Sequence, residues 1–311
     1  MTSANQILAI TRMFSPSVFR ELANSGRSPL FADLYRLTPD VSARLSDKST
    51  VGDAFELAFR QLRRSGARSE YVYRSALTHN VLLGKHSLNT ASMLTEFAVG
   101  NSKADMAVLN GTSSVYEIKS ERDSLSRLKA QIADYRRVFA RVYVIAGENH
   151  IDDVIAHTDP NVGVLSLARW NRIRTIREAN EDPGALCPLA IFDSSRRNEA
   201  QAILDALDIE VPDLPNTQIH QAMRALFEPL EAAVVHELWL NTLKQTRSLA
   251  SLTQFIESLP HSLRASALAV KIRKGDRTRV IRAVNTPIEK AKHWGDEQSC
   301  ITHIFEGSNL S

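Results

Sequence analysis

The feature that most limits the possible folds of this chain is a change in the spacing of its apolar residues. Before about residue 85 they recur every three to four positions, as in helices, whereas later segments alternate with a period near two, as in strands. A helical segment at 123–140 separates the third strand pattern from the fourth, and another helix and strand follow. The order predicts an α/β sheet flanked by helices; the four strand segments are MLTEFAV (93–99), ADMAVL (104–109), SVYEIK (114–119) and RVYVIAG (141–147).

Helical patterns lie on both sides of this α/β segment. One early helix has Ser49 or Thr50 as its N-cap, and another starts at Ser69 and runs to Gly84. After about residue 176 the strand pattern ends and helical segments return. We therefore predict three parts: a helical N-terminal part at 1–65, an α/β core at 66–175 and a helical C-terminal part at 176–311.

The composition is that of an ordinary globular protein. Hydrophobic residues make up 43% of the 311 positions and charged residues 23%, so a core can form without disulfides or metal. Cys187 and Cys300 have no metal-ligand spacing around them. We find no apolar run long enough to cross a membrane and no secretion signal at the N-terminus. These features predict a cytoplasmic protein without a membrane partner.

Each of two neighbouring strand segments contains one acid, Asp105 and Glu117. If Asn-Gly alone made the turn between them, the two acids would lie on opposite faces of the hairpin. If the loop held residues 110–112, paired residue numbers would sum to 222, with Asp105 opposite Glu117 and Lys119 on the same face. In that register Met106, Val108, Tyr116 and Ile118 fill the other face.

Two carboxylates this close repel each other unless a cation lies between them. Mg²⁺, or Mn²⁺ in its place, suits carboxylate and water oxygens. Lys119 would point into the same cleft, where it could hold a water or stabilise charge on a phosphate. The alternative is a salt-bridged hairpin on a solvated sheet face, and the geometry alone leaves both open.

The acid, the Glu-x-Lys triplet on a hairpin, the helix before them and the amphipathic helix after them together resemble the PD-(D/E)XK nuclease superfamily. The resemblance covers roughly residues 66–170 and points to a bacterial subfamily of nucleases. It implies a restriction-endonuclease-like mixed sheet flanked by helices. Ala104 stands where the motif that names the superfamily has proline.

The same resemblance implies roles for individual residues. Asp105 and Glu117 would hold the metal, Lys119 would be the catalytic lysine, and Glu70 would match an acid that the superfamily often places on its first helix. Glu70 could instead complement the dipole of its own helix. Gln131, four residues before Tyr135, is similar to the QxxxY element of RecB-like nucleases, although a surface glutamine and a core tyrosine would give the same spacing.

Glu96 is a further acid, nine residues before Asp105 in the first strand segment. It is either an extra acid in the site or a paired strand residue.

A basic stretch near the C-terminus is the second candidate for a binding site. Such a run can neutralise backbone phosphates of nucleic acid, although the usual reading is a solvated helix face. The densest residues are Lys271, Arg273, Lys274, Arg277, Arg279 and Arg282.

Together these patterns predict a metal-dependent nuclease that hydrolyses phosphodiester bonds, with DNA as the expected substrate. The alternative is an inactive nuclease-fold module that binds nucleic acid or a protein partner. The helical parts could also support a homodimer. Phage defence, repair and mobile-element roles all fit this prediction.

Overall fold

A computed structural model describes residues 3–64 and 68–296 of the chain. The chain forms two compact units, one made of residues 1–75 and 254–311 and the other of residues 76–253. The predicted boundary between residues 65 and 66 lies outside the described residues. The division into three consecutive parts stays a prediction. The compact units group the chain in another way, with residues from both ends of the sequence in one unit.

The first unit is helical, and several of its N-terminal helices begin at sequence-encoded caps. Ser15 and Ser28 cap helices that have proline in the first turn, and Thr50 forms a capping box with Asp53. Thr50 is one of the two caps predicted. The helices are α1 (Ala4–Met13), α2 (Pro16–Ser25), α3 (Pro29–Arg36), α4 (Pro39–Ser42), α5 (Val51–Leu62) and α6 (Glu70–Leu77), which crosses into the second unit, and later α14 (Thr253–Glu257), α15 (Arg264–Ala269), α16 (Arg277–Val284) and α17 (Ile288–Ala291).

Aromatic rings fill the centre of this unit. Phe14 stacks on Tyr71 with ring centroids 4.6 Å apart, and Phe31 lies 5.0 Å from Phe55. The chain returns to this unit after residue 253, since the amide of Val51 donates to the carbonyl of Thr286. The two ends of the chain therefore share one core.

The second unit is built on a six-stranded mixed sheet in the order β1 to β6. β1, β2 and β3 are antiparallel, β3, β4 and β5 are parallel, and β6 is antiparallel to β5. The last residues of β3, β4 and β5 therefore meet at one end of the sheet, which we call its carboxyl end. The strands are β1 (Ser92–Val99), β2 (Ser102–Asn110), β3 (Thr112–Lys119), β4 (Arg141–Ala146), β5 (Gly163–Leu167) and β6 (Ile173–Arg177).

Helices cover one face of this sheet, which we call the α8 face. Val115 of β3, Val144 of β4 and Val164 of β5 belong to one buried cluster with residues of these helices. Alternation along β3 puts Glu117 and Lys119 on the same face as Val115. The helices of this unit are α7 (Leu83–Lys85), α8 (Leu128–Arg136), α9 (Ile151–His157), α10 (Pro188–Asp193), α11 (Arg197–Asp205), α12 (Asn216–Phe227) and α13 (Ala232–Thr246).

The predicted mixed α/β sheet flanked by helices, with helical N- and C-terminal parts, is confirmed. Two details differ from the sequence pattern. The helix expected over 123–140 is confined to Leu128–Arg136, because Ser120 and Asp123 form a turn before it. β6 was not predicted, because its arginines and its edge position hide the alternation of a half-buried strand.

None of the helices within the described residues is long and apolar enough to span a membrane.

Candidate active site

The β2–β3 hairpin has the register in which paired residue numbers sum to 222. Met106 pairs with Tyr116, and the ladder closes at Asn110 and Thr112 around Gly111. Continuing it by one residue places Asp105 opposite Glu117. The backbone ladder stops at that point, because the amide of Ile118 donates instead to the Asp105 carboxylate at 2.7 Å. The half-buried Asp105 side chain is therefore held against β3.

The Glu117 carboxylate lies at the centre of a buried hydrogen-bond network. Its Oε1 accepts from the Lys119 ammonium at 2.8 Å and from the Gln131 amide at 2.6 Å, and its Oε2 accepts from the Tyr135 hydroxyl at 2.7 Å. Lys119 also donates to Gln131 Oε1 at 2.9 Å. The Glu117 and Lys119 side chains are only 3% and 7% exposed, so the ion pair is almost dry. A charge pair in such a position is stable only when its remaining hydrogen bonds are made.

The Tyr135 hydroxyl, which donates to Glu117, has a raised pKa. Burial raises this pKa most, and the charges of Glu117 and Asp105 raise it further, well above its ordinary range. The phenol therefore stays protonated and donates to Glu117 at neutral pH. Ala107 and Val115 are paired and belong to the buried cluster on the α8 face, and Asp105 and Glu117 each lie two residues from one of them, so both acids lie on the α8 face of the sheet.

α8 is fixed over the hairpin by polar and apolar contacts. The Ser102 hydroxyl at the start of β2 donates to the Asp134 carboxylate at 2.6 Å. Leu128, Ile132 and Tyr135 are buried on one side of the helix. Gln131 and Tyr135 are one turn apart and so reach the same carboxylate.

Glu96 has an unusual backbone. Its φ is +52°, a left-handed conformation that costs a residue with a Cβ about 1–2 kcal/mol. The β1–β2 ladder contains the pairs on either side, Thr95 with Met106 and Phe97 with Ala104, but not Glu96 with Asp105. A carboxylate oxygen of Glu96 lies within 4.8 Å of one of Asp105. Lys103 forms an ion pair with Glu96 at 2.6 Å.

Glu70 begins α6, with its side chain half exposed and ion-paired to Arg74 one turn later. It belongs to the first compact unit, whereas Asp105, Glu117, Lys119 and Gln131 belong to the second. The structure brings those four together. That Glu70 joins them stays a prediction.

The predicted basic stretch lies in the first unit, on α16 and the turn before it. Lys271, Arg273, Lys274 and Arg282 are exposed. Arg279 has a structural role, since it donates to the carbonyl of Ala23 at 2.8 Å and forms an ion pair with Asp276. Nucleic-acid binding by Lys271, Arg273, Lys274, Arg277, Arg279 and Arg282 stays a prediction.

Two residues of the site were given no firm role by the sequence. The sequence analysis gave Tyr135 no role beyond its four-residue spacing from Gln131. That spacing puts both side chains on one face of a helix, and it was the signal from which a shared contact could have been predicted. The closeness of Glu96 to Asp105 depends on a backbone torsion that no local motif reveals.

The fold and the site together describe a mixed α/β protein with two carboxylates, a buried lysine and a glutamine gathered on one face of its sheet. A model of the family described as bacteriophage P4 protein cII matches residues 63–270, which is more than half of the chain. The chain belongs to that family. The matched range contains every residue of the site.

Two individual comparisons accompany this match. Protein cII of Enterobacteria phage P4 is 29% identical over 137 residues, which is 43% of this chain and 48% of that protein. The match thus spans about half the length of that relative. A solved structure, the SPO1766 protein of unknown function from Silicibacter pomeroyi, is 18% identical and covers 38% of this chain and 81% of its own, with a TM-score of 0.27. None of these descriptions names an activity, so function is argued from the site.

Proposed function

We propose that this protein is a metal-dependent nuclease that hydrolyses phosphodiester bonds in nucleic acid, with DNA as the expected substrate. The observation that carries the proposal is the grouping of Asp105, Glu117 and Lys119 on the α8 face of the β2–β3 hairpin. A structural salt bridge needs one acid and one lysine. The second acid, Asp105, lies on the same face, so the site holds one more carboxylate than the salt bridge between Glu117 and Lys119 needs.

The donor set fits a hard divalent cation such as Mg²⁺ or Mn²⁺. Carboxylate oxygens are the ligands that these ions prefer. A carboxylate has about four lone-pair positions, and Glu117 uses three of them, so its Oε2 can still accept a cation. Asp105 and Glu117 would hold the ion, with Glu70 as the further predicted ligand. The bound ion would supply positive charge beside the phosphate that reacts.

Lys119 is the chain's own candidate for acting on the attacking water or on the phosphate. Its ammonium has three N–H donors, and the described residues take two of them, through Glu117 and Gln131. The third donor can hold a water or a phosphate oxygen. Gln131 orients the ammonium and, with Tyr135, keeps Glu117 in place.

The test is cleavage of supercoiled plasmid, linear duplex and single-stranded DNA by the full chain with Mg²⁺, with Mn²⁺ and with EDTA. Asp105→Asn keeps an oxygen that can accept from the Ile118 amide but removes the charge. We expect this variant to lose at least about 100-fold in turnover, the scale for electrostatic groups in active sites. It should also lose Mn²⁺ binding measured by calorimetry.

Asp208→Asn is the matched control, because Asp208 is exposed and left-handed, a conformation that asparagine adopts as easily. It should behave as wild type. Glu117→Gln combined with Asp105→Asn should do little more damage than either alone, since both residues serve one ion. Absence of cleavage by the wild type on all three DNA forms with both metals would favour the inactive binding module.

A further inference from the structure

A row of paired residues connects the candidate site to the far edge of the sheet. Lys119 pairs with Ala146, Ala146 with Ser166, and Ser166 with Arg174 on β6. Neighbouring strands are about 4.8 Å apart, so the Cα atoms of Lys119 and Arg174 are separated by about 14 Å. The row lies at the carboxyl end of the sheet, where open α/β sheets commonly bind their ligands.

Arg174 lies on the same face of the sheet as Lys119. Ser166 shares the α8 face with Val164, and residues directly opposite in an antiparallel pair point to the same side. Ile176, two residues beyond Arg174, packs against the buried cluster on this face, which agrees with that orientation.

Arg172, two residues before Arg174, lies on the same face of the sheet. The amide of Ala168 donates to the carbonyl of Arg172 at 2.8 Å, which continues the β5–β6 pairing past the end of β5. Arg172 and Arg174 therefore lie on one face, about 7 Å apart along the strand.

Both arginines are exposed, and within residues 3–64 and 68–296 the structure shows no ion pair or hydrogen bond to either guanidinium. Arg177, in the same strand, differs: it donates to the carbonyl of Val162 and to the Thr158 hydroxyl. Arg177 thus serves the fold, whereas Arg174 of the same strand and Arg172 just before it present their charges at the carboxyl end of the sheet.

The turn that presents Arg172 is held in place. Asn171 is left-handed with φ +63°, and its carbonyl accepts from the Asn80 side chain at 2.9 Å. Asn80 lies in a single π-helical turn at Thr78–Leu82, a feature often found near functional sites. The backbone that carries the Arg172 side chain is thus held by a hydrogen bond to a neighbouring helix.

We propose that Arg172 and Arg174 form a contact surface for the phosphate backbone of a nucleic-acid strand that also reaches Lys119. Guanidinium forks match phosphate oxygens in geometry and charge. A separation of about 14 Å is short enough for one strand to reach both positions, because the spacing of nucleotides along the axis of B-form DNA is only about 3.4 Å per strand. The surface would hold the strand a short distance along its backbone from the phosphate at Lys119. Its link to Lys119 rests on the proposed nuclease function; binding by the two arginines does not.

The competing explanation is that the arginines protect an edge strand, since β6 is the last strand of the sheet and charged residues on such strands prevent pairing with other chains. That role requires no contact with nucleic acid, so a binding measurement separates the two.

The experiment measures anisotropy of a labelled 20-base-pair DNA duplex and of the corresponding single strand, in EDTA, from 50 to 300 mM salt. Arg172→Ala with Arg174→Ala should flatten the salt dependence of duplex binding by about two units in log–log slope, and that of the single strand by about 1.4. Duplex affinity near 0.1 M salt should fall by on the order of 10-fold per lost contact.

Arg172→Lys with Arg174→Lys should keep the wild-type slope, because the charges remain. Lys85→Ala with Arg141→Ala is the charge-matched control. Arg141 begins β4 at the opposite end of the sheet, and Lys85 precedes His86, which bonds to Asn110 at the β2–β3 turn there. This control should also leave the slope unchanged.

The proposal is overturned if the double alanine variant binds with the wild-type slope, if the control flattens it equally, or if the wild type does not bind. Chemistry is tested separately, because EDTA prevents it. An arginine-dependent slope without cleavage by the wild type in Mg²⁺ or Mn²⁺ would retain this surface and reject the nuclease. Metal-dependent cleavage with an unchanged slope would do the reverse.

Discussion

Lys119 combines a structural and a chemical role that substitution can separate. Its ammonium neutralises the buried Glu117 carboxylate, and removing one member of a buried ion pair costs about 3–5 kcal/mol of stability. In the proposed reaction the same ammonium acts on the water or on the charge of the transition state, with less effect on the bound ground state. A loss of activity must therefore be corrected for loss of folded protein.

We expect Lys119→Ala to lower turnover per folded molecule by about 10²–10⁴, the scale of a positioned acid-base or electrostatic group, while substrate affinity changes less than about tenfold. Single-turnover cleavage and EDTA binding would be measured at a temperature where circular dichroism shows the fold intact. Lys119→Met, which keeps the aliphatic bulk, should lose as much turnover with less loss of stability. Lys85→Ala, at an exposed lysine, should lose nothing. Wild-type turnover in Lys119→Ala would place the active site elsewhere.

The sequence left two registers open for Asp105 and Glu117, because side-chain alternation allows two faces and the length of the loop was not settled. The structure has the register in which the two acids are opposite each other. Gln131 contacts Glu117 and Lys119, whereas the sequence had left a surface glutamine as the alternative. The left-handed backbone of Glu96 did not follow, because nothing in the residue type demands it.

The β2–β3 turn is the element that sets the relation between the two strands of the site. Gly111 lies at its tip with φ +71°, and a Cβ added there would meet nothing within 4 Å. The requirement for glycine is therefore conformational rather than steric. The register itself is also set by the apolar pattern of both strands, so a strained turn should weaken the hairpin before it shifts the pairing.

Gly111→Ala should lower the free energy of unfolding by about 1–2 kcal/mol, the cost of a left-handed residue with a Cβ, and Gly111→Asn should cost less because asparagine tolerates that conformation. Urea denaturation would measure both. Gly184→Ala serves as the comparison, since Gly184 has ordinary φ and only a 3.8 Å contact to Asp182. Equal destabilisation at positions 111 and 184 would contradict the conformational explanation.

β6 is the strand that the sequence pattern did not predict. Its five residues, Ile173–Arg177, contain two isoleucines and two arginines, and a register shift opposite Val164 and Leu165 breaks the alternation. An edge strand buries only part of one face, so its pattern is weak. The strand was recognisable only from its pairing with β5.

The whole molecule depends on contacts that join distant parts of the sequence. Glu199 is fully buried and accepts two hydrogen bonds at 2.7 Å from the Arg247 guanidinium, 48 residues away. Burial alone would raise the pKa of Glu199, but the hydrogen bonds from Arg247 and the Arg196 amide lower it overall. Such an ion pair cannot be predicted from the local sequence, because the residues around Glu199 and those around Arg247 contain no pattern that indicates the partner.

Three histidines are expected to make the free energy of unfolding decrease in mildly acidic solution. Burial is the largest cause that lowers the pKa of His86, His236 and His261 below the ordinary value near 6.5. Above that value both folded and unfolded chains are neutral at these sites. As pH falls below it, the unfolded chain takes up protons first, so stability is lost progressively through the lowered folded-state values.

The urea concentration at the midpoint of unfolding should therefore be lower at pH 5 than at pH 7.5. His236→Gln should reduce that fall, because glutamine does not titrate and its amide can still bond to Ser113, which lies 2.7 Å from the His236 ring. Comparing midpoints of wild type and variant at both pH values measures the difference. A variant that loses as much stability as wild type would show that His236 is not one of the groups responsible.

The bend at Glu96 also has a consequence for how the protein behaves when concentrated. β1 is an outer strand of the sheet, and a straight outer strand offers an unbroken line of amides and carbonyls to which another chain can attach. The left-handed residue Glu96 in the middle of β1 changes the direction of the backbone amides and carbonyls, so another strand can form hydrogen bonds with only a short part of β1. The residue that brings an extra carboxylate towards Asp105 thus also discourages the sheet from growing into a fibril.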